Sequence, residues 1–318
     1  MNNTPLTYLK RVFFSLLLPA IVYIGLGLIR PDIYFQFRTF LMLLTQTMAY
    51  ILIGWSMLFG MSVGLFDFSV GSRVVLSALF GIHITQYFGI PGLVLGTFAS
   101  SIVLALFTAL AFAVLRIPSI ITGFAALLIF ESVATIYQKQ FKNIIYDNMK
   151  IFGTSPGIFV VAFISFLVVY IVFNHTKFGY QIKAIGGNEA VARSMGIKAM
   201  HLKLNTYIIG GVILGAATLV QIGYTGSKAA QINMSSMATC FTPMMGVMIG
   251  MFLSSCNMVI GSFIGAFCIA VVSSGLVAVG MESRLQNVVV GIFLLIFIGL
   301  KTNSATLKKV FRIEAVSN

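Results

Sequence analysis

Long apolar runs alternate with short polar segments along most of this chain. Most runs approach or exceed the about 20 apolar residues that a helix needs to cross a bilayer core of about 30 Å. The pattern predicts an all-α polytopic membrane protein with ten transmembrane helices. The predicted spans are 12–29, 40–63, 70–89, 92–115, 117–137, 157–174, 204–223, 239–255, 258–280 and 285–300.

Composition supports this interpretation and limits what lies outside the membrane. Hydrophobic residues make up 59% of the chain and charged residues only 8%, whereas soluble domains are about 45–50% apolar. The longest segments between spans are 138–156 and 175–203, and neither is long enough for a soluble domain. We therefore expect a single transmembrane domain over residues 1–318, with its largest cytoplasmic loop at about 175–203.

The basic residues orient the predicted spans. An N-terminus in the cytoplasm places most of the 20 Lys and Arg residues on the inner side, including the C-terminal "LKKVFR", as the positive-inside rule requires. The even number of spans then places both termini in the cytoplasm. The net charge of +13 is thus explained by topology and contact with anionic lipid, and we expect no nucleic-acid partner.

Catalytic chemistry has no clear sequence signal. The chain contains no phosphate-binding G-x-x-x-x-G-K-[ST] loop, no plausibly spaced Ser/His/Asp set and no cluster of metal ligands. The three cysteines, Cys240, Cys256 and Cys268, are interpreted as small packing residues. We expect the chain not to be an enzyme and to hold neither metal nor cofactor.

Glycine pairs one helical turn apart occur in four predicted spans. Such pairs let helix backbones approach closely in a membrane, where the hydrophobic effect does not drive helices together. Their positions predict that the second, seventh, eighth and ninth spans form a tight inner bundle. The pairs are Gly60 with Gly64, Gly211 with Gly215, Gly246 with Gly250, and Gly261 with Gly265.

Two acidic residues fall within or beside the apolar runs, where a carboxylate is costly. Asp67 lies in "VGLFDFSVGSR", and the small polar residues Ser69, Gly71 and Ser72 can bend the chain there. This predicts a broken or re-entrant segment after the second span, with an ordinary interfacial turn as the alternative. Glu131 lies near the outer end of the fifth span, in the pathway or snorkelling towards the outer surface.

A polar stretch, "KAIGGNEAVARSMGI", occupies residues 183–197 of the large cytoplasmic loop. After a flexible lead-in of two glycines, Asn188 is suited to an N-cap and Glu189 to the first helical turn. Glu189 and Arg193 are spaced to pair at i,i+4, and Gly196 can end the helix. The stretch predicts a short capped helix at the inner surface, suited to contact a cytoplasmic partner, with an interfacial helix that has no partner as the alternative.

Three stretches resemble one known family. "FGYQIKAIGGNEAVARSMGIKA" (178–199) resembles the cytoplasmic coupling loop of permease subunits of ribose/galactose/xylose-type sugar ABC importers, a family that also includes branched-chain amino acid permeases. "GLFDFSVGS" (64–72) resembles the motif after that family's second span, and "RIPSIITGFAALLIFESVATIY" (116–137) resembles its fifth-span region. The order and spacing agree over about residues 40–300.

The resemblance implies a multi-pass subunit of the bacterial cytoplasmic membrane. Its expected partners are a second permease chain, identical or a related sister, two cytoplasmic ATPase subunits or one tandem ATPase that bind the ATP, and an extracytoplasmic solute-binding protein. The implied ATPase-coupling residues are Gly186, Gly187, Asn188, Glu189, Ala190, Ala192, Arg193, Gly196 and Ile197. Together with the cost of charge inside the membrane, these motifs predict the translocation-pathway residues Phe66, Asp67, Ser69, Val70, Gly71, Ser72 and Glu131.

The nearly uncharged spans suit a small neutral polar solute that moves between weak hydrogen-bonding sites, such as a monosaccharide. A nucleoside or a branched-chain amino acid is the alternative within this class. An ion-coupled secondary transporter, with Asp67 or Glu131 carrying the ion, and a channel or membrane scaffold are alternatives from other classes.

Three departures from the family pattern leave the solute and the second permease chain open. Glu131 stands where a basic residue is expected, and Val191 is the third residue of the E-A-A run. The glycine-rich run after the eighth span is reduced to "GMFLSSCNMVIGSFIGA" (250–266).

Overall fold

The structure is a computed structural model. It describes residues 19–28, 31–141, 147–225, 229–253 and 257–282, with Leu17 and a few single positions between 285 and 296. Over these residues the fold is helical and contains no strand, and seven helices are long and apolar enough to cross a membrane. The start of the first predicted span and most of the tenth lie outside the described residues.

The helices follow the predicted apolar runs closely. The α-helices are α1 (Pro19–Leu28), α2 (Pro31–Tyr34), α3 (Phe37–Met61), α4 (Val70–Leu115), α5 (Ser119–Gln140), α6 (Gly157–His175), α7 (Lys177–Gly187), α8 (Glu189–Ser194), α9 (Ala199–Thr225), α10 (Ala238–Phe252) and α11 (Met258–Ala278). Short 3₁₀ helices cover Asp147–Phe152 and Ser235–Met237.

Helix α4 has 46 residues, which at 1.5 Å per residue is about twice the thickness of a bilayer core. Its backbone leaves helical geometry at Gly89 (φ 62°, ψ −147°), two residues before Pro91. The break divides α4 into segments 70–88 and 90–115, which coincide with the predicted third and fourth spans. The two segments pack closely, because a Cβ at Gly81 would lie 2.4 Å from the Thr97 side chain.

Residues 45–244 form one compact unit, with α9 at its centre. The apolar stretch of α9 is 83% buried, and two of its glycines admit neighbouring helices. A Cβ at Gly210 would lie 2.6 Å from the Ser56 carbonyl oxygen of α3, and one at Gly211 would lie 2.7 Å from Ala105 of α4. The Ser101 hydroxyl also donates to the Gly211 carbonyl at 2.8 Å. A Cβ at Gly215 would lie 2.8 Å from the Phe98 ring of α4, so close packing at the predicted pair Gly211 and Gly215 is confirmed.

The second unit comprises residues 1–44 and 245–318, and its described part is built on the packing of α10 against α11. A Cβ at Gly250 would lie 2.2 Å from the Ser262 nitrogen, and one at Gly265 would lie 2.1 Å from the Gly246 carbonyl oxygen. The glycines of the eighth and ninth spans thus pack against each other as predicted. Cys268 is fully buried in α11, and Cys256 lies outside the described residues.

One glycine pair was misassigned by the sequence pattern. Helix α3 ends at Met61, so Gly64 lies beyond it and does not share a helix face with Gly60. Gly64 instead adopts a left-handed conformation (φ 76°), which a residue without Cβ adopts at little cost. Gly64 lies in the non-helical connection 62–69, which leads to α4.

Candidate functional site: a buried ion pair and a helix pair in the largest loop

Asp67 lies in the non-helical connection 62–69 and is held by two neighbours. Its Oδ2 forms an ion pair with Arg73 Nη2 at 2.5 Å, with the two side chains 11% and 4% exposed. Its Oδ1 accepts hydrogen bonds from the backbone N–H of Ser69 at 2.9 Å and from the Ser69 hydroxyl at 2.6 Å. The carboxylate therefore neutralises a buried cation and fixes the turn that starts α4. Sequence reasoning counted Arg73 only among the inner basic residues and missed this pairing.

Other predicted pathway residues pack tightly around this turn. The Phe66 N–H donates to Ser119 Oγ at 3.2 Å, and the Ser72 hydroxyl donates to the Ser69 carbonyl at 2.9 Å. The Gly71 N–H donates to Cys240 Sγ at 2.8 Å. Cys240 is thus a hydrogen-bonding partner as well as a packing residue.

Glu131 is 4% exposed and binds backbone. Its Oε2 accepts from the Met234 N–H and its Oε1 from the Ser236 N–H, both at 2.9 Å. Two turns further along α5, Gln138 Oε1 accepts from the Ala230 N–H. Irregular backbone within a membrane needs such partners, so α5 supplies acceptors that secondary structure would otherwise provide. Residues 229–237, the described part of this segment, lie between the predicted seventh and eighth spans. The polar side chains at 131 and 138 were the sequence signal for this contact, and sequence reasoning missed it.

The two acidic motifs converge on Ser236. A Cβ at Gly71 would lie 1.9 Å from the Ser236 carbonyl oxygen, so only glycine admits this contact. The N–H of the same Ser236 binds Glu131. The structure therefore brings the start of α4 and the middle of α5 together around Ser236.

The predicted capped helix in the large loop is confirmed as α8. Asn188 Oδ1 accepts from the Val191 N–H at 3.1 Å, which is the N-cap geometry. Gly196 has φ 85°, and its N–H donates to the Arg193 carbonyl at 3.0 Å. These local bonds start and end the helix at the predicted places.

The predicted flexible lead-in is wrong, because Gly186 and Gly187 are the last residues of helix α7. A Cβ at Gly186 would lie 2.2 Å from the Ser62 carbonyl oxygen, whereas one at Gly187 would meet nothing within 4 Å. Helix α7 therefore touches the connection that carries Asp67. Its missed signal was an N-cap, Thr176, whose Oγ1 accepts from the Gly179 N–H.

Glu189 joins α8 to α9. It pairs with Arg193 at 2.6 Å, as the spacing predicted, and also with Lys203 at 3.0 Å, which lies 14 residues away and was not foreseen. The hydrogen bond from Lys203, and then that from Arg193, hold the pKa of Glu189 below its ordinary 4.5. The ionised Glu189 therefore stabilises the folded loop above pH 4.5. This stabilisation is lost as the pH falls through the lowered pKa.

The other predicted coupling residues divide between the two sides of α8. Ala192 is buried and Ile197 half-buried, whereas Ala190 is exposed. Two further apolar side chains face outwards, with Val191 53% and Met195 76% exposed. Helix α8 thus presents an apolar surface away from the rest of the described chain.

Bundled apolar helices with a capped helix pair in the largest loop are the architecture of a polytopic membrane protein. The chain belongs to the family described as "Branched-chain amino acid transport system / permease component", whose model matches residues 39–298. It is the permease subunit of an ABC importer, a non-enzymatic, multi-pass protein of the bacterial cytoplasmic membrane.

Curated relatives agree with this class, and one solved structure is similar in fold. The chain is 24% identical over 303 residues to the autoinducer 2 import system permease protein LsrC of Enterobacter sp. (strain 638), covering 91% of this chain and 86% of that protein. It is 24% identical over 283 residues to the protein of the same name from Yersinia pestis (strain Pestoides F), covering 85% and 78%. An ABC transporter described as of metal-chelate type, in an inward-facing conformation, is similar in fold, with a TM-score of 0.51 and 14% identity over 92% of this chain and 98% of that one.

Proposed function

We propose that this chain forms, with a second permease chain, the pathway for a small neutral sugar-like solute. The observation that carries the proposal is that both acidic residues singled out from the sequence are already engaged. Asp67 is neutralised by Arg73, and Glu131 is bound to two backbone N–H groups. Neither carboxylate is then free to select a cation. The relatives named for import of autoinducer 2 support a small polar solute of this kind.

A branched-chain amino acid or a nucleoside is the second candidate solute, and the family description favours the former. An ion-coupled secondary transporter is less well supported, since the ion would have to displace partners from Asp67 or Glu131. Uptake of competing solutes separates these candidates.

We further propose ten membrane spans with both termini in the cytoplasm. If α4 counts as two spans, the helices from α3 to α11 contain eight membrane spans. The first and tenth predicted apolar runs would supply the remaining two spans. The break at Gly89 supports the division of α4. The complete importer would contain two permease chains, two ATPase subunits or one tandem ATPase, and an extracytoplasmic solute-binding protein.

The helix pair α7–α8 is proposed to receive the ATPase and pass its movement to the bundle along two contacts. One is the contact of Gly186 with Ser62, at the start of the connection that carries Asp67. The other is the ion pair of Glu189 with Lys203 on α9. The exposed Val191 and Met195 provide the apolar surface on which a partner can dock.

Loss of ATPase retention in two variants tests this proposal. Glu189→Ala removes both ion pairs of α8, and Gly196→Val places a β-branched residue at φ 85°, which is strained. We expect both chains to insert normally but to lose the ATPase on detergent extraction and to stimulate its hydrolysis poorly. Glu189→Gln, which keeps the size and one acceptor, should be intermediate. Full ATPase copurification and parental transport by both variants would contradict the coupling role.

A further inference from the structure

A narrow cavity lies within the unit formed by residues 45–244, between α3, α4 and α9. It has room for about one or two water molecules, which is also the space that a hydroxyl or hydroxymethyl group occupies. Its polar lining is Ser56, Asp67, Arg73, Thr206 and Tyr207.

Two of these side chains are more than nine-tenths buried and have unused donors. Arg73, 4% exposed, gives only Nη2 to Asp67, and its Nε and Nη1 have no hydrogen-bond partner among the described residues. The Tyr207 hydroxyl, on a residue 6% exposed, likewise has no partner there. Buried donors without acceptors are costly, so these groups point to an occupant that accepts hydrogen bonds.

Two other side chains supply acceptors. The Ser56 hydroxyl donates to the Ile53 carbonyl and the Thr206 hydroxyl to the Lys203 carbonyl, both at 2.6 Å. Their oxygens therefore keep lone pairs for a donor in the cavity. Unused donors beside free lone pairs match a hydroxyl group, which both donates and accepts.

Charge favours an uncharged occupant. Asp67 compensates Arg73 at 2.5 Å, so the cavity wall has no net charge from this pair. An anion attracted by Arg73 is repelled by Asp67, and a cation attracted by Asp67 is repelled by Arg73, so neither gains a net attraction that would offset its loss of hydration. An uncharged occupant has a smaller hydration cost.

We propose that this cavity is a binding subsite for a hydroxyl group of an uncharged polyhydroxylated solute, with Arg73 and Tyr207 as donors. The inference rests on the proposed function as a sugar-type permease and assigns residues to solute recognition within it. Water has the same hydrogen-bonding chemistry, so a test must separate water from solute.

Protection of a cysteine placed in the cavity wall provides that test. Ser56→Cys nearly conserves the size of the side chain. The rate at which the small neutral reagent methyl methanethiosulfonate labels the new thiol is measured in native membrane vesicles. The parent chain, measured in the same way, gives the background labelling of the native cysteines. Glycerol and D-ribose are the solute probes, and sodium acetate and ethylammonium chloride are the charged controls. At about twice its Kd, an occupant should slow labelling about threefold.

We expect glycerol and D-ribose, but neither salt, to protect the thiol. Combining Ser56→Cys with Tyr207→Phe removes one donor without changing shape and should raise the Kd about fivefold, so the same concentration should slow labelling only about 1.4-fold. The matched control Tyr87→Phe, at a position 71% exposed, should leave protection unchanged. Four results would each overturn the proposal: protection by acetate instead of the polyols, protection by neither polyol, protection that survives Tyr207→Phe, or a thiol that does not react. Protection by neither polyol would mean that the cavity holds water only.

ATPase copurification from the same vesicles separates this inference from the proposed function. Normal retention of the ATPase without polyol protection would reject only the subsite.

Discussion

At the scale of single residues, the burial of two carboxylates is explained by the partners that each has found. Asp67 compensates Arg73, and Glu131 binds the N–H groups of Met234 and Ser236. These partners offset the cost of burying each carboxylate. Neither residue then needs a transported ion to account for its presence.

Replacement of Glu131 tests its role as a backbone acceptor. Glu131→Leu removes both acceptor oxygens and leaves two buried N–H groups unpaired, at about 1–3 kcal/mol each. We expect a lower thermal midpoint and faster proteolysis near segment 229–237, with a smaller effect for Glu131→Gln, which keeps one acceptor. Ser132→Ala is the matched control, because the Ser132 hydroxyl is exposed and bonds only within its own helix. A Glu131→Leu chain as stable as this control would show that the two hydrogen bonds contribute little.

Residues whose partners are near in sequence could be predicted, and those with distant partners could not. The Asn188 cap, the Glu189–Arg193 pair and the Gly196 stop depend on a few adjacent residues. The pairing of Glu189 with Lys203 and the contact of Glu131 with Ser236 depend on how helices pack. A single sequence contains no direct signal for those contacts.

At the scale of elements, the lengths of the apolar runs predicted the long helices well. They did not predict the segments of irregular backbone. The break in α4 at Gly89 falls where two predicted spans meet. Helix α7 was missed because its glycines suggested flexibility, although Gly186 is a contact point with Ser62. Segment 229–237 was missed because polar residues outside a span indicate a surface connection, whereas here Glu131 and Gln138 satisfy its backbone.

Two adjacent glycines at the end of α7 offer a matched pair of variants. Gly186→Ala places a Cβ 2.2 Å from the Ser62 carbonyl oxygen and must displace α7 or the connection 62–69, whereas Gly187→Ala meets nothing. We expect the Gly186→Ala chain to keep the ATPase bound. The importer that contains it should hydrolyse more ATP for each solute molecule that it imports. Gly187→Ala should match the parent, since alanine also favours helix. Equal ratios of ATP hydrolysed to solute imported in both variants would show that the contact with Ser62 does not transmit movement.

At the scale of the whole molecule, two contacts connect the helix pair α7–α8 to the bundle, as the proposed coupling role requires. Helix α8 is tied to α9 through the ion pair of Glu189 with Lys203, and α7 touches the connection that holds Asp67. Both contacts end beside the cavity lined by Arg73 and Tyr207. A movement of the helix pair would therefore reach the region that we assign to the solute.

The most direct test of this account is the initial rate of solute uptake by sealed vesicles that contain the importer and its solute-binding protein, with ATP clamped. Radiolabelled D-ribose, a nucleoside and leucine are compared, each with and without an uncoupler, in the parent and in Glu189→Ala. We predict uptake of the sugar that requires ATP, is unchanged by the uncoupler and is lost in Glu189→Ala. Uptake that persists without ATP, collapses with the ion gradient and is unaffected by Glu189→Ala would contradict ATP-driven import through this helix pair.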